Sequence, residues 1–191
     1  MIYIDFKTMN IPNFFTLIRI LLVPVLFLLL NKGWLSIAFL VFISAAVTDA
    51  FDGIFAKILN QKTIFGSYFD PLADKLLIDT AYLTLAFLYS LPDWLAVLVL
   101  SRDVIVVAGV IIFKLTEKPL RIKPEIDSKI TTFLQMVTVC LFFELPELQK
   151  FMPFREYLVF LSAAFTLVSG FHYLYIGFQV LGKNGNHIWK E

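Results

Sequence analysis

The chain has 191 residues, 59% of them hydrophobic, with 21 phenylalanines, 16% charged residues and a mean hydropathy of +0.82. That composition excludes an ordinary soluble domain and points to an integral membrane protein, with no nucleic-acid partner expected. The net charge of +1 carries little information, and the single cysteine, Cys140, has no partner for an internal disulfide and reads as a small core hydrophobe.

Residues 1–11 set Ile2, Tyr3, Ile4 and Phe6 beside Asp5 and Lys7, a pattern that predicts a segment lying flat at the membrane interface. Six apolar runs follow, at roughly 13–30, 34–57, 71–91, 94–115, 128–144 and 155–178, each near the length a membrane-crossing helix needs. The first is not expected to be a secretion signal, because it carries Arg19, lacks a small-x-small cleavage site and precedes further spans. Pro24 is a candidate kink within it. Asn31-Lys32-Gly33 separates the first run from the second, and Asp70-Pro71 predicts the start of the third, with a capping carboxylate followed by a proline. Leu91-Pro92-Asp93 reads as a turn, and Pro146 and Pro153 bracket a loop before the sixth run. The expected fold is all-α: a polytopic membrane protein of six transmembrane helices, forming a single domain over 1–191 with no internal repeat.

Charge placement orients the chain. The segments on the side of the two termini carry Lys7, Lys57, Lys62, Lys75, Lys114, Lys118, Arg121, Lys123, Lys129, Lys183 and Lys190, against Lys32, Lys150 and Arg155 on the other. The positive-inside rule then predicts that both termini face the cytoplasm, in a bacterial inner or plasma membrane.

Against this apolar background, Asp49, Asp52, Asp70 and Asp74 stand out. Asp49 and Asp52 are three apart with Ala56 seven beyond Asp49, and Asp70 and Asp74 are four apart, so each pair shares one helix face. Four carboxylates converging at a membrane surface repel one another unless neutralised. Their all-oxygen donor set suits Mg²⁺, Mn²⁺ or Ca²⁺, and four negative charges balance two divalent ions. Helix capping and pairing with Lys57, Lys62 or Lys75 accounts for any one aspartate. It does not account for four at these spacings, interleaved with Gly53, Ala56 and Gly66, small residues that let a ligand approach the backbone.

The pattern Asp49-x2-Asp52-Gly53-x2-Ala56-Lys57-x8-Gly66-x3-Asp70-x3-Asp74 resembles the signature of the CDP-alcohol phosphatidyltransferase family at every position but one, where Lys57 replaces the usual arginine. Similarity extends through "NIPNFFTLIR", "SRDVIVV" and "SKITTFLQM", and becomes generic after about residue 145. The resemblance implies a six-helix membrane enzyme, commonly a homodimer, in which an acceptor hydroxyl attacks the lipid-side phosphorus of a CDP-linked lipid and CMP leaves. It implies two divalent cations, Mg²⁺ or Mn²⁺, held by Asp49, Asp52, Asp70 and Asp74, with Asp74 also the base. Asn13, Thr16, Gly53, Ala56, Lys57 and Gly66 would bind the nucleotide and diphosphate. The similarity runs to the branch with glycerol-type acceptors. Within it, glycerol 3-phosphate is favoured and phosphatidylglycerol, giving cardiolipin, is the alternative.

Lys114, Arg121, Lys123 and Lys129 read either as topology and headgroup contacts or as a wall that binds a phosphate-bearing acceptor, Lys129 first because it lies within the well-matched "SKITT". Arg102 and Asp103 fall inside the fourth run and Asp79 inside the third. Charges there pair or line a wet cavity, so Arg102 is expected either to pair with Asp79 or Asp103 or to contact the acceptor. His172 and His187 are too isolated for a metal site. A cation transporter is the more distant reading, and the lack of a repeat and the position of the acids at helix ends count against it.

Overall fold

The computed structural model describes the backbone of residues 11–58, 66–115 and 126–182, and the side chains of 17–48, 75–109, 128–177 and 179. All regular structure among the described residues is helical: α1 (Ile11–Asn31), α2 (Leu35–Ile58), α3 (Gly66–Leu88), α4 (Asp93–Leu115), α5 (Ile126–Phe142) and α6 (Arg155–Gly182), with a 3-10 helix over Pro146–Phe154. The order matches the six expected runs. Among the described residues, the stretch Pro146–Gly177 is long and apolar enough to cross a bilayer, whereas Leu17–Asn31, Leu35–Thr48 and Ser128–Phe142 are shorter apolar stretches. The expected interfacial segment 1–11 lies almost wholly outside the described residues.

Two boundaries differ from expectation. The third helix begins at Gly66, so Asp70 and Pro71 lie inside it rather than at its start. Proline's fixed φ is itself helical, and its cost is one missing hydrogen bond, which the helix absorbs close to its end. Pro24 lies inside α1, within the expected run, and the helix continues to Asn31. The bracketed loop before the sixth helix is a 3-10 helix with no buried residue.

The backbone falls into two compact units, residues 1–93 with 139–152, and residues 94–138 with 153–191. In the first, α1 packs on α3 and α2, and α2 touches α3. The buried side chains keep helical spacing: Leu26 and Leu30 on α1, Ala38, Phe42 and Ala45 on α2, and Leu77, Ala81, Tyr82 and Leu85 on α3. Phe143 joins them, its ring 5.4 Å from Phe39 and 5.7 Å from Phe42.

The α1–α2 turn is set by local chemistry. Gly33 takes a φ of +73°, and its N–H donates to the Leu30 carbonyl while that of Trp34 donates to Leu29, both at 3.0 Å. This is the paired bonding of a Schellman cap, in which glycine takes the left-handed position without a Cβ penalty. The Tyr89 hydroxyl, just beyond α3, donates to the same Leu30 carbonyl at 2.7 Å. The ends of α1 and α3 are therefore neighbours, and these two helices run in the same direction with α2 antiparallel to them.

The second unit holds α4, most of α5, and α6. Its α5–α6 contact is a row of buried polar groups. Thr131 donates to the Phe165 carbonyl at 3.2 Å, Gln135 Nε2 to Thr166 Oγ1 at 3.1 Å, and Thr138 to the Leu158 carbonyl at 3.4 Å. Ser162 and Ser169 are buried in the same row. Large apolar side chains point outward instead: Phe133 on α5, Val97 and Val104 on α4, and Tyr157, Phe160, Phe171 and Tyr175 on α6 are all more than half exposed. Trp94 and Phe160 stack with ring centroids 6.1 Å apart, joining the start of α4 to α6.

Candidate functional site

The direction of α1, α2 and α3 fixes where the aspartate motif falls. The Schellman turn and the Tyr89–Leu30 bond lie at one end of the first unit. The three helices have comparable lengths of 21, 24 and 23 residues, so the start of α1, the end of α2 and the start of α3 meet at the other. That end carries the backbone of Asn13 and Thr16 on α1, of Asp49, Asp52, Gly53, Ala56 and Lys57 on α2, and of Gly66, Asp70 and Asp74 on α3. All ten positions singled out for metal, nucleotide and diphosphate are thus on helical backbone at one end of one unit. Their side chains lie outside the described residues, as do Arg121 and Lys123 altogether and the side chain of Lys114. Among the described residues, no group of three histidines, cysteines or acids could hold a metal ion.

Lys129 is described and exposed, on the first turns of α5. Its neighbour Ser128 is half-buried and takes part in the most developed polar cluster in the second unit. At the centre is Arg102 of α4, only 3% exposed. Of the two expected pairings, its Nη1 makes the one with Asp103, donating to Oδ1 at 2.6 Å. Its Nη2 donates to Ser128 Oγ of α5 at 2.8 Å and to Ser169 Oγ of α6 at 2.7 Å. The Tyr173 ring lies 5.5 Å from the guanidinium carbon, close enough for a cation–π contact. Nε has no hydrogen-bond partner among the described residues. The aliphatic stem passes Gly170, where an added Cβ would meet Arg102 Cγ at 3.6 Å, an ordinary contact. A buried guanidinium is costly unless compensated, and here one carboxylate, two hydroxyls and an aromatic face share that task.

Ser128, Ser169 and Tyr173 were not singled out from the sequence. A signal for them exists: Ser128, Thr131, Gln135 and Thr138 on α5, and Ser162, Thr166, Ser169 and Tyr173 on α6, recur at spacings of three and four residues.

Comparison with known proteins bears on both units. A protein of Bacillus subtilis named as a CDP-diacylglycerol--glycerol-3-phosphate 3-phosphatidyltransferase is 32% identical over 190 residues, covering 90% of this chain and 97% of that protein. A Mycobacterium tuberculosis protein named "Probable phosphatidylglycerophosphate synthase" is 36% identical over 140 residues, covering 70% of this chain and 65% of that protein. The human CMP-forming cardiolipin synthase is 35% identical over 146 residues, covering 68% of this chain and 48% of that protein. The chain therefore spans about two thirds of the mycobacterial relative and about half of the human one. The pattern of the CDP-alcohol phosphatidyltransferase family matches residues 9–168, from the start of α1 into α6 and across the whole aspartate motif, and the chain belongs to that family.

Proposed function

We propose that the protein is an integral membrane phosphatidyltransferase that moves a phosphatidyl group from CDP-diacylglycerol to a hydroxyl of glycerol 3-phosphate, releasing CMP. The observation that carries this reading is the full aspartate motif on α2 and α3, gathered with Asn13 and Thr16 at one end of one helical unit. The acceptor is supported by the names of the Bacillus subtilis and Mycobacterium tuberculosis relatives, and the alternative acceptor, phosphatidylglycerol, by that of the human one.

The chemistry of the donor set suits a divalent metal. Asp49, Asp52, Asp70 and Asp74 would hold Mg²⁺ or Mn²⁺, hard cations that prefer oxygen. Two such ions, when bound, polarise the diphosphate and stabilise charge on the departing CMP. The remaining work falls to the chain. Gly53, Ala56 and Gly66 leave room for the nucleotide against the backbone, and Lys57 supplies a point charge to the diphosphate. Asp74 accepts the proton of the acceptor hydroxyl as its oxygen bonds to the lipid-side phosphorus, and the bond from that phosphorus to the CMP oxygen breaks with its electron pair. Lys129, with Lys114, Arg121 and Lys123, binds the phosphate of the acceptor.

All six helices cross the membrane in this reading, with the termini and the aspartate end cytoplasmic and the enzyme working as a homodimer. Support for the lipid-facing surface comes from large apolar side chains left outside while polar groups are buried beside an apolar core. Leu21, Leu40, Phe87, Val97, Phe133 and Phe160 are exposed, whereas Arg102, Asp103, Thr131, Gln135, Thr166 and Ser169 are buried.

The deciding experiment measures CMP release by purified protein in mixed micelles of CDP-diacylglycerol, with glycerol 3-phosphate or phosphatidylglycerol as acceptor. Phosphatidylglycerophosphate is the expected product. Cardiolipin with no phosphatidylglycerophosphate would move the assignment to the alternative, and no CMP with either acceptor would overturn it.

A further inference from the structure

Resting on the reading that Lys129 meets the acceptor phosphate, we infer that Arg102 is a positioning residue for Lys129, acting through Ser128 rather than by touching the acceptor. Arg102 is buried, and both its Nη atoms are engaged by protein groups on three helices. The bond to Ser128 reaches the residue directly before Lys129. The Ser128 carbonyl in turn accepts from Thr132 Oγ1 at 3.1 Å, tying the same turn of α5 from within. Lys129 itself is exposed at the start of α5, where a helix frays unless something holds it. A long lysine side chain has many rotamers, so the useful constraint is on its backbone, and Arg102 supplies it from α4 while Ser169 fixes the guanidinium from α6. Asp103 and the Tyr173 ring hold the guanidinium in place.

Direct contact and positioning make opposite predictions for Ser128→Ala. If Arg102 itself bound the acceptor, releasing Nη2 from Ser128 would leave acceptor binding unchanged or improve it. If Arg102 acts through Ser128, the acceptor KM rises roughly tenfold, the order expected for a lost hydrogen bond to a charged group, while kcat and the KM for CDP-diacylglycerol stay within about twofold. Arg102→Lys, which keeps the charge and can donate to Ser128, restores most of the acceptor affinity lost in Arg102→Gln. Combining Ser128→Ala with Lys129→Ala adds little to Lys129→Ala alone, because both act on one contact. The experiment is steady-state kinetics of these variants, with glycerol 3-phosphate varied at saturating CDP-diacylglycerol. An unchanged acceptor KM in Ser128→Ala, with Lys129→Ala still raising it, overturns the positioning role and leaves the functional reading standing. No effect of Lys129→Ala on the acceptor KM overturns that reading and the inference with it.

Discussion

The Tyr89 hydroxyl and the Leu30 carbonyl, 59 positions apart in sequence, are joined at 2.7 Å. The same carbonyl accepts the Gly33 N–H, so one oxygen both closes the α1 cap and locks α1 to the end of α3. Because α1 and α3 both carry positions of the proposed site at their far ends, this bond bears on their alignment without touching substrate. Tyr89→Phe is expected to cost about 1 kcal/mol of stability, the usual net value of such a bond. Gly33→Ala should cost a similar amount, about 1 kcal/mol, by forcing a Cβ into the left-handed region. Thermal unfolding in detergent measures both, and a variant as stable as the parent would contradict its own argument.

Asp49→Asn, Asp52→Asn, Asp70→Asn and Asp74→Asn should each nearly abolish CMP release while the protein still inserts and purifies. Excess chelator should do the same to the parent, and added Mg²⁺ or Mn²⁺ should restore it. Near-normal turnover in two of these variants, or activity that survives chelation, would be incompatible with the proposed two-metal site.

Lys57→Arg should bind the CDP-lipid as well or better, since a planar fork replaces a point charge at the diphosphate. The measurement is the KM for CDP-diacylglycerol. A large rise would mean that Lys57 has a task here that arginine cannot perform.

Along the α5–α6 row, Gln135→Leu leaves Thr166 Oγ1 without its interhelical donor. The expected loss is about 0.6 kcal/mol, the average for such bonds between helices in a bilayer. Thr166→Val in the Gln135→Leu background should add less than it does alone, because the partner is already gone. Strictly additive losses would show that the two residues do not act as a pair.

Much of this architecture was legible in the chain. Hydropathy fixed the helices to within a few residues, as with 34–57 expected and Leu35–Ile58 found, because long apolar runs have one low-cost backbone. The aspartate motif was equally plain, since its spacings are short and within two adjacent helices. Local reasoning failed at Asp70-Pro71, where proline's helical φ was mistaken for a start, and at Pro146–Phe154, where two prolines were read as a loop. Arg102 had two candidate acids, and only the fold could choose Asp103. Its bonds to Ser128 and Ser169 join residues 26 and 67 positions away, and no local pattern fixes such a pairing.

The hydroxyl and amide row on α5 also bears on how the chain is made. With 17 residues, α5 reaches only about 26 Å, short of a hydrocarbon core of about 30 Å, and it carries Thr131, Gln135 and Thr138 on one side. In the proposed membrane reading, a translocon weighing α5 alone would meet a short segment whose Thr138 hydroxyl is met within the helix by the Leu134 carbonyl at 2.8 Å, but whose Gln135 amide donates to α6. Its partners, the Leu158 and Phe165 carbonyls and Thr166, leave the ribosome only with α6. On the proposed membrane reading, the two helices enter the bilayer as a hairpin, because α6 supplies the partners of the polar row on α5.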